Sequence, residues 1–259
     1  MDLELSGRSV LVTGASKGIG FAIANTLAKE GGSLAICARE QGLLDQAAER
    51  LRALGAKVFS QSVDVTDAEA LGNFVSASAT ALGGLDAVVA NAGGSSGGSI
   101  AESTAQDWVD TFELNVGHAA SLLRSATPFL EKSSAPAAVL ISSISGSKPA
   151  PHAQYGVSKA GLIYLAAALA RELSPQHIRV NTVSPGSILF PGGGWDSLRV
   201  SDPERFQAFL DRDLPAGRLG TDEEVASVVA FLLSPRSNWI NGANIAVDGA
   251  QGRPSSAGW

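Results

Sequence analysis

Thr13-Gly14-Ala15-Ser16-Lys17-Gly18-Ile19-Gly20 is the stretch from which the rest of the chain can be read. Before it, Arg8 to Thr13 is a short apolar run rich in β-branched residues, as in a buried strand. After it, Gly18 to Glu30 carries apolar residues at helical spacing. Glycines at such a junction permit a tight turn, let a phosphate approach the backbone, and let helix and strand pack closely. The helix start then offers unpaired N–H groups and the positive end of its dipole to an anion. The spacing is G-x-x-x-G-x-G rather than G-x-G-x-x-G, so the general dinucleotide fingerprint is matched in kind only. A glycine turn by itself also serves purely structural ends. Its place at the first junction of an alternating pattern favours the dinucleotide reading.

That alternation continues outward. Ser33 to Ala38, Val58 to Val63, Leu85 to Ala90, Ala137 to Ser142, Ile178 to Val183 and Asn244 to Val247 read as six further strands. Helical patterns at Leu43 to Leu54, Asp67 to Ala81, Thr104 to Leu130, Gln154 to Leu173 and Asp222 to Leu233 separate nearly all of them. Strands alternating with helices require a parallel sheet covered on both faces. The expectation is an α/β chain with a single-domain, doubly wound Rossmann fold over 1–259, a seven-stranded parallel sheet flanked by helices. Pro191 to Asp213 breaks the rhythm with Gly192-Gly193-Gly194, Trp195 and a short helical pattern at Glu204 to Leu210. So long an excursion predicts a substrate lid at about 190–213. The tail, Gly252 to Trp259, is rich in glycine and serine and is expected to be loosely held.

Composition narrows the partners. The chain has 259 residues, 45% hydrophobic and 17% charged, a globular balance that argues against disorder. No apolar run reaches the roughly 18 residues of a membrane span. The acidic start, Met1-Asp2-Leu3-Glu4, runs straight into a strand-like segment and does not read as a secretory signal. Cys37 has no second cysteine to pair with, which suits a reducing, cytoplasmic setting. A formal charge of −6 without a basic block argues against nucleic acid and anionic membrane as partners. His118, His152 and His177 lie apart from other ligand types, so no metal site is expected.

Four segments in order, Thr13 to Gly20, Asn91-Ala92-Gly93, Tyr155-Gly156-Val157-Ser158-Lys159 and Val180-Asn181-Thr182-Val183-Ser184-Pro185-Gly186, change what can be said. With them the chain resembles the short-chain dehydrogenase/reductase family from about Leu5 to Ala250. Within it the likeness is to 3-oxoacyl-carrier-protein reductases and secondary-alcohol dehydrogenases. The resemblance implies an NAD(P)-dependent oxidoreductase that moves a hydride between nicotinamide and a CH–OH/carbonyl pair. It implies that Tyr155 exchanges a proton with the substrate oxygen and that Lys159 contacts the nicotinamide ribose. Tyr155 and Lys159 are four apart on a predicted helix and share a face. A cation there is expected to favour phenolate and lower the tyrosine pKa from about 10. In Ile141-Ser142-Ser143-Ile144-Ser145-Gly146 the family motif makes Ser143 the residue that polarises the substrate oxygen. The interval to Tyr155 is then one residue short, and counting back at the usual interval selects Ser142. Strand register favours Ser143, because a loop absorbs a deletion whereas a register slip flips side chains across the sheet. Asn115 is implied to bend its helix and hold a water linking Lys159 to solvent.

For the cofactor, Gly14, Ser16, Lys17, Gly18, Ile19 and Gly20 form the phosphate turn. The second strand ends Ala38-Arg39, where an acid would accept from a ribose 2′-hydroxyl and an arginine suits a 2′-phosphate. Arg39 and Lys17 favour NADP(H); Glu40, next door, leaves NAD(H) open. Asp64 and Val65 are expected to line the adenine, and Asn91, Ala92 and Gly93 to pass beneath the adenosine ribose. Pro185, Gly186 and Ile188 are expected to border the nicotinamide, with Phe190 where the family often has a carboxamide-binding threonine.

Phe190, Trp195, Leu198, Phe206 and Phe209 make the lid apolar and aromatic, either to receive a hydrophobic or cyclic alcohol or ketone or to anchor its own packing. Gln154 to Leu173 is apolar all round, with alanines suited to helix–helix contact, which predicts a homo-oligomer. Family likeness suggests a tetramer. A non-catalytic dinucleotide sensor or scaffold is the rival class, but such a protein would be expected to have lost Tyr155, Lys159 or the serine. A dedicated 3-oxoacyl thioester reductase would need a basic patch for its acidic carrier, and Arg124 and Lys132 are too sparse to form one. An epimerase or dehydratase on the same fold is a third reading, disfavoured by so short a substrate region.

Overall fold

The structure is a computed structural model that describes residues 2–254. Among the described residues nine strands run in chain order: β1 (Ser9–Thr13), β2 (Ser33–Ala38), β3 (Val58–Ser62), β4 (Ala87–Ala90), β5 (Ala137–Ile141), β6 (Arg179–Pro185), β7 (Ile188–Leu189), β8 (Gly220–Thr221) and β9 (Asn244–Val247). The helices are α1 (Gly18–Lys29), α2 (Gln41–Arg52), α3 (Ala68–Leu82), α4 (Ala105–Phe112), α5 (His118–Leu130), α6 (Ala153–Glu172), α7 (Gly194–Ser201), α8 (Pro203–Asp213) and α9 (Asp222–Leu233). Seven strands form one parallel sheet in the order β3-β2-β1-β4-β5-β6-β9, the doubly wound arrangement that the alternating pattern predicts.

Side chains leave the strands alternately for two cores. Val10 and Val12, Leu34 and Ile36, and Ala87 and Val89 face α1, α2 and α9. Leu11, Ala35 and Cys37, and Val88 and Ala90 face α3, α5 and α6. Burial on both faces is why these strands read as continuous apolar runs. Strand order reverses between β1 and β4, and their carboxyl ends open the crevice where ligands of such sheets bind.

Three expectations need correction. The helix predicted over Thr104 to Leu130 is two helices joined by a π turn, Glu113–Gly117. The Asn115 side-chain amide donates to Thr111 O at 2.7 Å, taking the carbonyl that its own backbone N–H would use in an α-helix. The lid holds two helices where one was expected. Asp202 caps α8 by accepting from Arg205 N at 3.1 Å, and Pro203 follows at the first helical position. The two-residue strands β7 and β8 pair across the base of this excursion. The loosely held tail falls largely on residues 255–259, which lie outside the described residues. Its first part is not loose: Gly252 N donates to Asp213 O at 2.8 Å and Arg253 N to Asp213 Oδ1 at 3.1 Å.

The glycine turn is braced from β4. Asn91 Nδ2 donates to Thr13 O (2.9 Å) and Gly14 O (3.0 Å), and Thr13 Oγ1 accepts from the backbone N–H groups of Asn91 and Ala92. A Cβ at Gly20 would stand 2.3 Å from both Asn91 Nδ2 and Gly14 O. Gly20→Ala is therefore expected to cost about 2 kcal/mol through overpacking, read by urea unfolding. An unchanged midpoint would show that this brace is not tight.

Candidate active site and dinucleotide cleft

A cleft of about 540 Å³ lies over the carboxyl ends of β1, β2 and β4. It is lined by the glycine turn from Gly14 to Gly20, by Arg39 and Glu40, by Asn91, Ala92 and Gly93, and by Tyr155. Its shape depends on missing side chains. A Cβ on Gly93 would come 2.7 Å from Asn115 Oδ1 and 3.0 Å from Lys159 Nζ. One on Gly14 would press on Ala92 and Asn91 at 3.0 Å. Helix α1 has no side-chain cap at Lys17 and no acid in its first turn, so its N-terminal N–H groups face the cleft with Lys17 beside them. That donor set fits a pyrophosphate.

Most of the predicted cofactor residues meet here, and a few do not. Val65 lines the cleft together with Val63, which sequence reasoning passed over. Asp64, between them on the strand extension, is exposed and does not line the cleft, though it lies near enough to Arg39 to feel its charge. Its carboxylate accepts from Thr66 N at 3.0 Å and Thr66 Oγ1 at 2.7 Å, and these bonds hold it below the usual carboxylate range. Two-residue alternation carried the signal: with Val63 and Val65 inward, Asp64 faces out. Pro185 ends β6 paired with Val247, Gly186 N donates to Val247 O at 3.0 Å, and Ile188 is buried in the core. None of the three lines the cleft, whereas Phe190 does, packed over Gly18 and Gly193. Leu43 and Leu114 also line it.

The two adjacent serines are used differently. Ser142 is 4% exposed, and its hydroxyl donates to Lys159 O at 2.7 Å, pinning α6 to the end of β5. Ser143 hydrogen-bonds with the Tyr155 phenol, and its Oγ accepts from Ser145 N at 3.1 Å. A Cβ on Gly146 would stand 2.7 Å from the Lys159 carbonyl carbon, so only glycine lets α6 lie this close.

Lys159 is 3% exposed, donates from Nζ to Ile141 O at 2.9 Å, and lies 5.5 Å from the Tyr155 ring centroid. The expected acidification of Tyr155 is not what burial produces. Loss of water pushes the phenol above its ordinary value, and the Ser143 hydrogen bond opposes this only in part. Loss of water also pulls Lys159 down to about 7. At neutral pH Tyr155 keeps its proton. Asn115, fully buried, donates to Gly94 O at 2.7 Å and accepts from Gly94 N at 3.3 Å, so it ties the π turn to the cleft floor. His118 Nδ1 lies 2.5 Å from Leu114 O, and burial pulls that imidazole down to about 4.

A second hollow, about 560 Å³, opens at the amino ends of β5 and β6 beside His177 and Trp239 and contains none of these residues. Among the described residues no helix is long and apolar enough to cross a membrane.

Comparison with known proteins matches residues 14–250 to the enoyl-(acyl carrier protein) reductase family model. Tropinone reductase-like 3 of Erythroxylum coca is 37% identical, over 97% of this chain and 95% of that protein. L-sorbose reductase of Gluconobacter frateurii, solved with NADPH and L-sorbose, superposes with a TM-score of 0.90 at 33% identity, over 96% of this chain and 98% of that one. A 7α-hydroxysteroid dehydrogenase solved with NADH and 7-oxo glycochenodeoxycholic acid gives 0.91 at 29% identity, over 99% and 98%. This chain belongs to the short-chain dehydrogenase/reductase family, the NAD(P)-dependent oxidoreductases that act on CH–OH groups.

The Lys159 shift has a sign that can be checked. Between pH 7 and 10.5 the unfolded chain keeps a lysine proton that the folded chain has shed, so this residue's contribution to stability rises with pH through that window. The stability of wild type relative to Lys159→Met, from urea unfolding, is expected to climb from pH 7 to pH 9. A flat difference would mean that the lysine is not desolvated.

Proposed function

We propose that this protein transfers a hydride between NADP(H) and a ketone/secondary-alcohol pair of mainly apolar or cyclic character. Tyr155 lining the cleft, with Lys159 Nζ 5.5 Å from its ring centroid and the Ser143 side chain beside its phenol, is the observation that carries the reading. When bound there, the nicotinamide supplies or accepts the hydride. Ser143 would hold the substrate oxygen, and Tyr155 would give it a proton in reduction or take one in oxidation. Lys159 would hold the cofactor ribose, and Asn115 the floor beneath it. The proton that burial keeps on Tyr155 is the one reduction requires. For the cofactor, Arg39 and Lys17 bring two exposed cations to the cleft and favour a 2′-phosphate, against Glu40, which lines the cleft, and Asp64, which acts on Arg39 from outside it. The apolar character of the substrate rests on Phe190 and Leu114 at the cleft. Trp195 and Phe209 are stacked on one another at 4.5 Å and serve the packing of the lid. A cytoplasmic setting suits Cys37, whose buried thiol is pushed up to about 12.

The test is NADPH oxidation with a panel of cyclic and aliphatic ketones, run on wild type, Tyr155→Phe, Ser143→Ala and Arg39→Ala. Tyr155→Phe is expected to lose about 10²- to 10⁴-fold in kcat, the usual share of a general acid. Ser143→Ala is expected to lose about 10²-fold. Arg39→Ala is expected to lower kcat/KM for NADPH about tenfold or more, with NADH little changed. Full activity in Tyr155→Phe would defeat the mechanism, and its absence from every enzyme and ketone would favour a non-catalytic dinucleotide sensor.

The same reading includes a homo-oligomer. Val109 and Phe112 on α4 and Val157 and Tyr164 on α6 are exposed apolar side chains on two helices that pack together, with Gly161 between Phe112 and Val116. A second copy, with a tetramer as the full assembly, would cover them. Equilibrium sedimentation is expected to give a multiple of 26.4 kDa; a monomer at micromolar concentration would remove this part.

A further inference from the structure

The last described segment makes a sharp reversal after β9. Gly249 and Ala250 both have positive φ, +57° and +60°, and Gln251 N donates to Asp248 O at 3.0 Å across them. Ala250 is not glycine, so the conformation is strained and needs outside support. Asp248 Oδ1 supplies some by accepting from Ala250 N at 3.1 Å.

What the turn presents is three connections to three separate pieces of the chain. Lys148, in the loop between Ser143 and Tyr155, donates from Nζ to Asp248 Oδ2 at 2.7 Å and to Gln251 O. Gln251 is 1% exposed. Its Oε1 accepts from Ser187 N at 2.7 Å and its Nε2 donates to Ser187 Oγ at 2.9 Å, where the chain leaves β6 for the lid. Asp213, 5% exposed at the end of α8, accepts from Gly252 and Arg253, where the chain returns from the lid. Gly186 lets this happen, since a Cβ there would meet Gln251 Oε1 at 2.6 Å and Asp248 Cα at 2.9 Å. Both feet of the lid and the loop joining Ser143 to Tyr155 are thus bonded to the same six residues.

We propose that Asp248–Arg253 is a strap holding the lid and the Ser143–Tyr155 loop in one frame, with Lys148 the positioning residue through which it acts on the site. Half-buried, charge-assisted bonds at Lys148 and a buried amide fully engaged at Gln251 make these connections costly to break. A segment of only six residues can then govern both pieces, because a loop or a self-packed excursion opens locally at low free energy unless its ends are bonded down.

Hydrogen exchange on the full chain, with wild type, Lys148→Met, Lys148→Arg and Gln251→Ala, tests this directly. Lys148→Met is expected to speed exchange in 144–152 and in the lid by about tenfold or more, with β4 and β5 unaltered, since local opening leaves the core protected. Lys148→Arg should restore the wild-type pattern, and Gln251→Ala should loosen the lid by a second route. NADPH affinity, read by fluorescence, should stay within about threefold in all three variants, since the strap does not touch the dinucleotide cleft. With the ketone that the panel above turns over, Lys148→Met should raise KM about tenfold with a smaller change in kcat. Only this last arm rests on the oxidoreductase reading, so failure of turnover and failure of the strap are distinguishable. Unchanged exchange in loop and lid, or acceleration shared equally with the core strands, would overturn the proposal.

Discussion

Shutting an ammonium away from water is among the costliest acts in a folded chain. Much of the site is arranged around doing so at Lys159. The end of β5 grips this residue twice, at its Nζ through Ile141 O and at its carbonyl through the Ser142 hydroxyl. Gly146 removes the side chain that would hold α6 off. Gly93 does the same on the other side, where Asn115 and Lys159 crowd the cleft floor. The same dryness acts in opposite senses on the two titrating groups, keeping the proton on Tyr155 and loosening it from Lys159. Proton chemistry here is a consequence of packing.

The crevice itself depends on a switch in strand order. Because β1 pairs with β2 on one side and β4 on the other, the ends of β1 and β4 are adjacent. Their loops leave toward opposite faces. Thr13 and Asn91 stitch the gap, and Asn115 reaches across from the π turn to Gly94. The π turn is the cost of that reach: the helix gives up regular bonding so that one amide can serve both Thr111 and Gly94. The cleft is rigid where phosphate would lie because its backbone groups are already bonded from behind.

The lid follows a different logic. Its aromatic residues look from the sequence like a pocket lining, yet Phe209 is buried against Trp195 in a small core shared with Leu210, Leu214 and Leu219. The excursion is a self-packed unit, fastened at both ends by the segment after β9. Rigid inside and tied at its feet, it can move as one piece or not at all.

Alternating apolar runs were enough to determine the seven strands of the main sheet, and the helices α1, α2, α3, α6 and α9, to within two residues, because that pattern is the local trace of a sheet covered on both sides. Thr13 to Gly20, the serine pair and the Tyr155–Lys159 spacing were equally legible, since each places chemistry on a known element. What the chain could not declare by itself was anything decided between distant residues. The bond from Asn115 to Gly94 joins residues twenty-one positions apart, and the tether on Lys148 needed Asp248, one hundred positions away. Whether Tyr155 holds its proton was beyond any spacing rule as well. Periodicity reports which face of an element is dry, but how dry a given atom is depends on everything that closes over it, and only the folded chain assembles that.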